Sequence, residues 1–445
     1  MSDSHNYKLT EIGKIPCDWN LVSLEDMADE NDKHSFIDGD WIEARYIANE
    51  GVRLIQTGNI GIGNFKEKEN KKYISEETFN SLKCKEVRTG DILICRLAAP
   101  IGRACIVPDI SPKMITAVDV VVFRPQKKYC KEFINYALNF DNTLNRVASF
   151  ASGSTRQRIS RTNLGKLPLA IPNIAEQSKI AFILSSVDEA IEKTEAIIEQ
   201  TEKVKKGLMQ QLFTKGIGHT KFKKADIGEI PFDWEVVGII DIAENEKNAV
   251  KPGPFGSSLK KEFYVKSGYK VYGQEQVIAN DFTIGNYYID DKKYEELNAF
   301  KVKPLDLLIS LVGTFGKIAV VSERGFKPGI INPRLLKITF DKSKANVHFF
   351  KYYMSSSAFY QQLEGMSQGG TMGVINSKIL KSIHFPLPSL DEQQRIVDIL
   401  TNIDQKLDIE TRKREQLQIL KKGLMQSLLT GRVRVIVDEA EVTQV

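Results

Sequence analysis

The stretch from Ala151 to Ala170 carries Ser152-Gly153-Ser154-Thr155-Arg156-Gln157-Arg158, then Arg161 and Lys166, and no acidic residue. An arginine presents a planar fork of donors that fits a phosphate or the O6 and N7 edge of guanine, and a glutamine amide can pair with the edge of adenine. The run therefore has the chemistry both to position a polyanion and to read bases, although a solvated loop would look the same. A second stretch, Gln368-Gly369-Gly370-Thr371-Met372-Gly373-Val374-Ile375-Asn376-Ser377-Lys378, is far less basic. Its glycines would let backbone amides approach phosphates, which turn geometry alone also explains, and Asn376 and Lys378 are its polar candidates. Arg96 and Arg103, with Lys317 in a matching place further along, follow apolar strand-like runs from which they could point into a groove. A plain surface position is the commoner fate of such residues.

Catalytic chemistry has no comparable signature. Gly313-Thr314-Phe315-Gly316-Lys317-Ile318 lacks the spacing of a phosphate loop and the hydroxyl after its lysine, so it reads as a strand turn. Asn332-Pro333-Arg334 begins like the motif of amino-methyltransferases but lacks the second proline and the aromatic ring. His5, His34, His219, His348 and His384 are scattered, with no H-E-x-x-H pattern and no Cys/His cluster, so neither a metal centre nor an acid-base pair is visible. Asp91 and Asp306 precede apolar runs, where aspartate is usually a turn residue. No cofactor is expected.

These residues belong to a chain of 445 amino acids with 62 Lys and Arg against 57 Asp and Glu. The length suggests two or three domains, and 42% hydrophobic residues exclude wholesale disorder. A net charge of +5 permits a polyanionic partner without requiring one. The first ten residues are polar, and no run of about 18 apolar residues occurs, so a cytoplasmic protein is expected. Cys17, Cys84, Cys95, Cys105 and Cys130 never approach a C-x-x-C spacing and read as reduced structural thiols.

An internal repeat sets the architecture. Ile12-Gly13-Lys14-Ile15-Pro16-Cys17-Asp18-Trp19 recurs as Ile227-Gly228-Glu229-Ile230-Pro231-Phe232-Asp233-Trp234, and Lys205-Lys206-Gly207-Leu208-Met209-Gln210 recurs unchanged from Lys421 to Gln426. Gly90-Asp91-Ile92-Leu93-Ile94 faces Leu305-Asp306-Leu307-Leu308-Ile309 in the same register. Each copy opens with a mixed α+β domain of short apolar runs, including Ile92 to Cys95, Val118 to Phe123, Leu307 to Leu311 and Ile318 to Val321. A long helix follows. Asn173 and Ser389 stand three residues before Glu176 and Glu392, the capping-box spacing, directly after Pro172 and Pro388. Ile180, Leu184, Val187, Ile191, Thr194, Ile198, Thr201, Leu208 and Leu212 form a heptad seam in which Lys205 takes one turn. Ile396, Leu400, Ile403, Leu407, Leu417, Leu424 and Leu428 repeat it, with Glu410, Arg414 and Lys421 intruding. Gly216 and Gly431 supply the stops. At about 40 residues, or roughly 60 Å, each helix is too long for one small domain to bury, and an antiparallel coiled coil between the two is expected. Packing of each helix on a partner protein is the alternative.

In this order the motifs are specific. The chain resembles, along essentially its whole length, the specificity subunit of type I restriction-modification enzymes. The residues that carry the resemblance are Ile171-Pro172-Asn173-Ile174-Ala175-Glu176-Gln177 and Leu387-Pro388-Ser389-Leu390-Asp391-Glu392-Gln393, the Lys-Gly-Leu-Met-Gln helix ends and the Ile-Pro-x-Asp-Trp domain starts. The resemblance implies two tandem target-recognition domains separated by two long helices. The expected boundaries are 1–172 and 217–387 for the domains, 173–216 and 388–432 for the helices, and 433–445 for a tail. It further implies a non-catalytic subunit that reads a split sequence in double-stranded DNA and docks two methyltransferase subunits and restriction subunits. The candidate DNA contacts are then Arg96, Arg103, Thr155, Arg156, Gln157, Arg158, Arg161, Lys317, Thr371, Asn376 and Lys378. A related system with a fused methyltransferase-nuclease would need the same subunit, and a coiled-coil scaffold that does not bind DNA is the competing class. Because DNA repeats about every 34 to 36 Å, adding or deleting a heptad in a helix should shift the preferred spacer between half-sites.

Overall fold

The chain is described by a computed structural model over residues 7–153, 157–311, 316–366 and 377–436. Its contacts divide it into two units, residues 1–194 with 413–445 and residues 195–412.

In the first unit the strands are β1 (Tyr7–Thr10), β2 (Gly13–Pro16), β3 (Asn20–Ser23), β4 (Phe36–Asp38), β5 (Val52–Ile55), β6 (Lys72–Ile74), β7 (Ile92–Cys95), β8 (Ala104–Ile106), β9 (Met114–Thr116), β10 (Val120–Phe123) and β11 (Pro168–Ile171). β1 and β2 form a hairpin, β3 pairs with β11, and two larger sheets have the orders β4-β10-β7-β8 and β6-β5-β9. The second sheet contains one parallel pair, β5 with β9. The central strands β7 and β10 read as unbroken apolar runs because both faces of their sheet are covered. Ile92, Ile94, Val121 and Phe123 enter the main core, while Leu93, Cys95, Val120 and Val122 enter a second one on the opposite face. Strand side chains alternate, so one run of four residues serves two cores.

The second unit repeats this plan with β12 (Phe222–Ala225), β13 (Gly228–Pro231), β14 (Glu235–Gly238), β15 (Val250–Pro252), β16 (Tyr269–Tyr272), β17 (Tyr288–Ile289), β18 (Leu307–Ser310), β19 (Ile318–Val320), β20 (Gly329–Ile331), β21 (Leu335–Ile338) and β22 (His384–Leu387). The orders are β12-β13, β14-β22, β15-β21-β18-β19 and β17-β16-β20, strand for strand those of the first unit, including a parallel β16–β20 pair. The duplication legible in the sequence is therefore a duplication of topology. Of the segment Gly313 to Ile318, Gly313, Thr314 and Phe315 lie outside the described residues, Gly316 and Lys317 close the connection between the antiparallel strands β18 and β19 on Ser310, and Ile318 begins β19. It leads into no helix. Asn332-Pro333-Arg334 is the tight turn between β20 and β21, with the Asn332 side chain accepting from the Arg334 amide at 2.9 Å.

Asp91 and Asp306 are turn residues and also buried ones. Each carboxylate accepts from the amide three residues back, Arg88 at 2.8 Å and Lys303 at 2.7 Å. Asp91 also takes a two-pronged ion pair from Arg124 at 2.8 Å, whereas Asp306 takes the hydroxyl of Thr339. Burial raises the Asp306 pKa against the pull of Lys337.

The long helices span Ile174–Lys215 and Leu390–Leu428. Gly216 and Gly431 follow them at φ +62° and +66°, a left-handed turn that suits a residue without a side chain. Within the first unit, Asp188 faces Lys421 at 2.6 Å, and Ile180 and Leu184 share a core with Leu424 and Leu428. Within the second, Lys205 faces Asp404 at 2.6 Å, and Leu208 and Leu212 share a core with Ile396 and Leu400. In each unit the two helix segments thus run antiparallel. The seam residues Thr194 and Thr201 are buried, and their hydroxyls are satisfied by the carbonyls of Ala190 and Ile197 in their own helix.

The lysines that interrupt the seams have a shared purpose. Asp188 accepts from Tyr136 Oη at 2.7 Å as well as from Lys421, whose ammonium lies 5.6 Å from the Tyr136 ring. Asp404 accepts from Tyr352 Oη at 2.7 Å as well as from Lys205, whose ammonium lies 5.7 Å from the Tyr352 ring. Each triad ties both helices to the globular domain of its own unit.

Candidate nucleic-acid interface

The predicted contacts separate into three groups. Arg96 is a structural residue. It is 4% exposed, its guanidinium lies 2.8 Å from the Asp38 carboxylate, and it donates to the carbonyls of Ile159 and Val118. Burial lowers its basicity, opposed by the charge of Asp38. Arg103 is likewise committed. It donates to the carbonyls of Ile60, Thr57, Ala98 and Pro100 and so knots two loops together. The expectation that either points freely into a groove is corrected for one reason: an arginine next to several unpaired carbonyls satisfies them first.

Gln157, Arg158, Arg161 and Lys317 are exposed. Arg158 pairs with Asp119 at 2.8 Å, and Arg161, at the first position of a short helix capped by Ser160, lies 3.8 Å from Asp38. Thr155, Arg156, Thr371 and Asn376 lie outside the described residues, and of Lys378 only the helical backbone is described.

What brings the exposed cations together is one corner of the first domain. Asp38 ends β4, Asp119 sits in the β9–β10 turn, and Arg158 pairs with Leu97 just beyond β7. Gly39 holds the corner closed by donating its amide to Val120. A Cβ on Gly39 would stand 2.4 Å from the carbonyl oxygens of Thr116 and Ala117, so no larger residue fits. The second domain builds the same corner from Gly253, which donates to Leu335 and packs against the Asn332 carbonyl.

The charges at the two corners differ. In the first, the arginines face Asp38 and Asp119. In the second, Pro252 and Arg334 hold the positions of those two acids, and Arg334 and Lys317 are exposed without an ion pair among the described residues. The basic run thus meets carboxylates in the folded first domain, while the second, poorer in charge along the sequence, offers uncompensated cations. Sequence reading passed over Arg334, which stands out only once β10 and β21 are aligned.

A family model described as the type I restriction modification DNA specificity domain matches residues 2–203 and again 231–418. The chain belongs to this family. It is 30% identical to a putative type I restriction enzyme MjaX specificity subunit of Methanocaldococcus jannaschii, over 97% of each chain. It is 25% identical to the type I restriction enzyme EcoBI specificity subunit of Escherichia coli, over 61% of this chain and 58% of that one. Among solved structures, the S subunit of a type I restriction-modification system from M. genitalium aligns with a TM-score of 0.55 at 16% identity, over 96% of this chain and 98% of that one. That likeness shows the fold.

The residues that mark this chain as a specificity subunit are structural rather than chemical. Asn173 caps its helix by accepting from the Glu176 amide at 2.9 Å, but the Glu176 side chain does not return to complete a capping box. It is 2% exposed and accepts from the indole of buried Trp19 at 3.2 Å and from Arg434 at 2.7 and 2.8 Å. In the second unit Glu392 accepts from Trp234 at 2.9 Å, from His219 at 3.0 Å and from the Ile217 amide. Arg434 and His219 hold equivalent places, three residues past Gly431 and Gly216. Gln177 and Gln393 fasten the same junctions, each donating to the preceding proline carbonyl and accepting from the Cys130 or Asn346 amide. A helix start, a domain start and the segment leaving the other helix are thus locked by one carboxylate in each unit. Among the described residues no cluster of His, Cys, Asp and Glu could hold a metal, and no helix is long and apolar enough to cross a membrane.

Proposed function

We propose that this chain reads a two-part sequence in double-stranded DNA, one part with each globular domain. It assembles with two methyltransferase subunits and with restriction subunits, and those partners supply the chemistry. The recognition domains span 1–172 and 217–387, and the helices 173–216 and 388–432. The observation that carries the reading is the paired corner: the backbone frame is the same in both copies, while Asp38 and Asp119 in one correspond to Pro252 and Arg334 in the other. Such a device keeps its scaffold and changes the surface that meets its target. Arginine at such a surface either grips phosphate or reads a guanine edge. The named relatives, subunits that give type I restriction enzymes their specificity, support the same reading.

Mapping methylated adenines across the genome with and without this chain tests it. A split motif that vanishes on deletion is expected, and an unchanged methylation pattern refutes it. Replacing Arg158 or Arg334 by Ala should alter different parts of the motif. A guanine contact would cost about 1 to 3 kcal/mol with relaxed preference at one position, and a phosphate contact would weaken all sequences evenly.

A further inference from the structure

The corner that gathers the cations carries another repeated feature. Two residues beyond Gly39 stands Trp41, 75% exposed, and two residues beyond Gly253 stands Phe255, 89% exposed. Among the described residues these are the two most exposed aromatic side chains of the chain. The surrounding sequences, Asp38-Gly39-Asp40-Trp41-Ile42-Glu43 and Pro252-Gly253-Pro254-Phe255-Gly256-Ser257, share only the glycine and the ring. Both glycines make the same hydrogen bond, to Val120 and Leu335, in the same crowded pocket of backbone. The ring is therefore presented from the same point of the frame in both domains.

A single exposed apolar residue needs no explanation by itself. One that recurs at the same point of two domains whose loops otherwise differ does. The exposed residues close to each ring in sequence are polar or small, Glu43 and Arg45 near Trp41 and Gly256 and Ser257 beside Phe255. A protein-docking surface would gather apolar neighbours around the ring. The same corners carry cations, Arg158 and Arg161 in the first domain, paired with Asp119 and Asp38, and Arg334 in the second, without an ion pair among the described residues; arginines so placed suit the flank of a phosphate backbone. A flat, exposed ring at a corner that carries such arginines, anchored where backbone packs directly on backbone, suits insertion at a base step.

Resting on the DNA-reading function proposed above, we propose that Trp41 and Phe255 are the wedges of the two readers. Each ring stacks on a base at a step that it partly opens within its own half of the target. Stacking of this kind is indifferent to hydrogen-bonding edges, so the rings contribute affinity and favour flexible pyrimidine–purine steps, while the polar neighbours supply base identity.

The test uses the full chain with its methyltransferase subunits. Duplexes selected from a random pool by the wild-type complex provide the probe, with 2-aminopurine placed in turn along each half. Trp41→Ala and Phe255→Ala should each weaken binding about 5- to 150-fold, the range set by losing one stacked base. Each should also abolish the 2-aminopurine fluorescence rise in one half only. Trp41→Phe and Phe255→Trp should restore most of both signals. Wild-type binding and fluorescence in both alanine variants, with binding lost in Arg158→Ala and Arg334→Ala, would overturn the wedge and leave the DNA reading standing. Wild-type behaviour in all four would remove this corner from the interface altogether. Loss of methyltransferase association with DNA binding intact would make the rings partner contacts and also overturn the proposal.

Discussion

Removing the Asp188 carboxylate should loosen the first unit through two partners at once, and the size of the effect follows from their geometry. Lys421 and Asp188 are 25% and 31% exposed, so their ion pair is neither fully screened nor fully desolvated and contributes about 1 kcal/mol. The Tyr136 hydroxyl donates to a charged acceptor at 2.7 Å on a ring that is 8% exposed, a bond of about 1.5 to 3 kcal/mol. Asp188→Ala is therefore expected to cost about 2 to 4 kcal/mol, Tyr136→Phe about 1.5 to 3 and Lys421→Met about 1. The five cysteines of the chain all lie in this unit, with Cys84, Cys95 and Cys105 buried, so their protection from a thiol reagent in rising urea reports its opening separately. In double-mutant cycles, Asp188 with Tyr136 should show a coupling above 1 kcal/mol, and Asp188 with Lys421 a smaller one of about 0.5. Additivity within about 0.3 kcal/mol in both cycles would refute the triad as a unit.

Arg434→Ala, or truncation after Gly431, leaves the 2% exposed Glu176 with only the Trp19 indole and should destabilise the first unit by about 3 to 5 kcal/mol; unchanged cysteine protection in the truncated chain would disprove the clip. Asp32 and Asp306 should tilt stability against pH in opposite directions. The His34 amide, then Arg124 and Arg88, hold the Asp32 pKa below its ordinary 3.8 despite partial burial, so its stabilisation is present above about pH 4 and fades as the pH falls further. Burial raises that of Asp306, so its contribution is full below about pH 4 and is lost as the pH rises through the folded value. Asp32→Asn should flatten the acid limb of the unfolding curve, whereas wild type should lose ground to Asp306→Asn from pH 4 to 7; parallel curves would exclude either. At pH 8 a thiol reagent should label exposed Cys17 first, while burial pushes Cys84 to about 11 and Cys105 to about 12 and makes them slow. Equal rates at all five would contradict the packing.

Much of the fold was legible because it is written in spacing. The repeat, the helix caps and stops and the seam through Thr194 and Thr201 depend on residues close in sequence, and the structure places them where their periods imply. The partners of Arg96 and Arg103, the carbonyls of Val118, Ile159, Ile60 and Thr57, were not legible because they lie on other segments and leave no mark near either arginine. The locking carboxylates were seen only as half of a cap, since Trp19 and Arg434 reach Glu176 from 157 and 258 residues away. Charge was read by counting cations along a run. Asp119, which faces Arg158, stands outside that run, and Arg334 is a lone cation in a turn.

The clip at Arg434 also bears on how the protein is made. The second unit is continuous, residues 195–412, and all of its residues are joined before Lys421 and Arg434 are added. The first is not. Its domain is synthesised ahead of the second unit, yet Lys421 and Arg434, which bind Asp188 and Glu176, follow that unit. Domains ordinarily close in the order of their synthesis; here the later-made unit has all of its residues first, while the earlier one keeps its Trp19–Glu176 junction open until Arg434 is added.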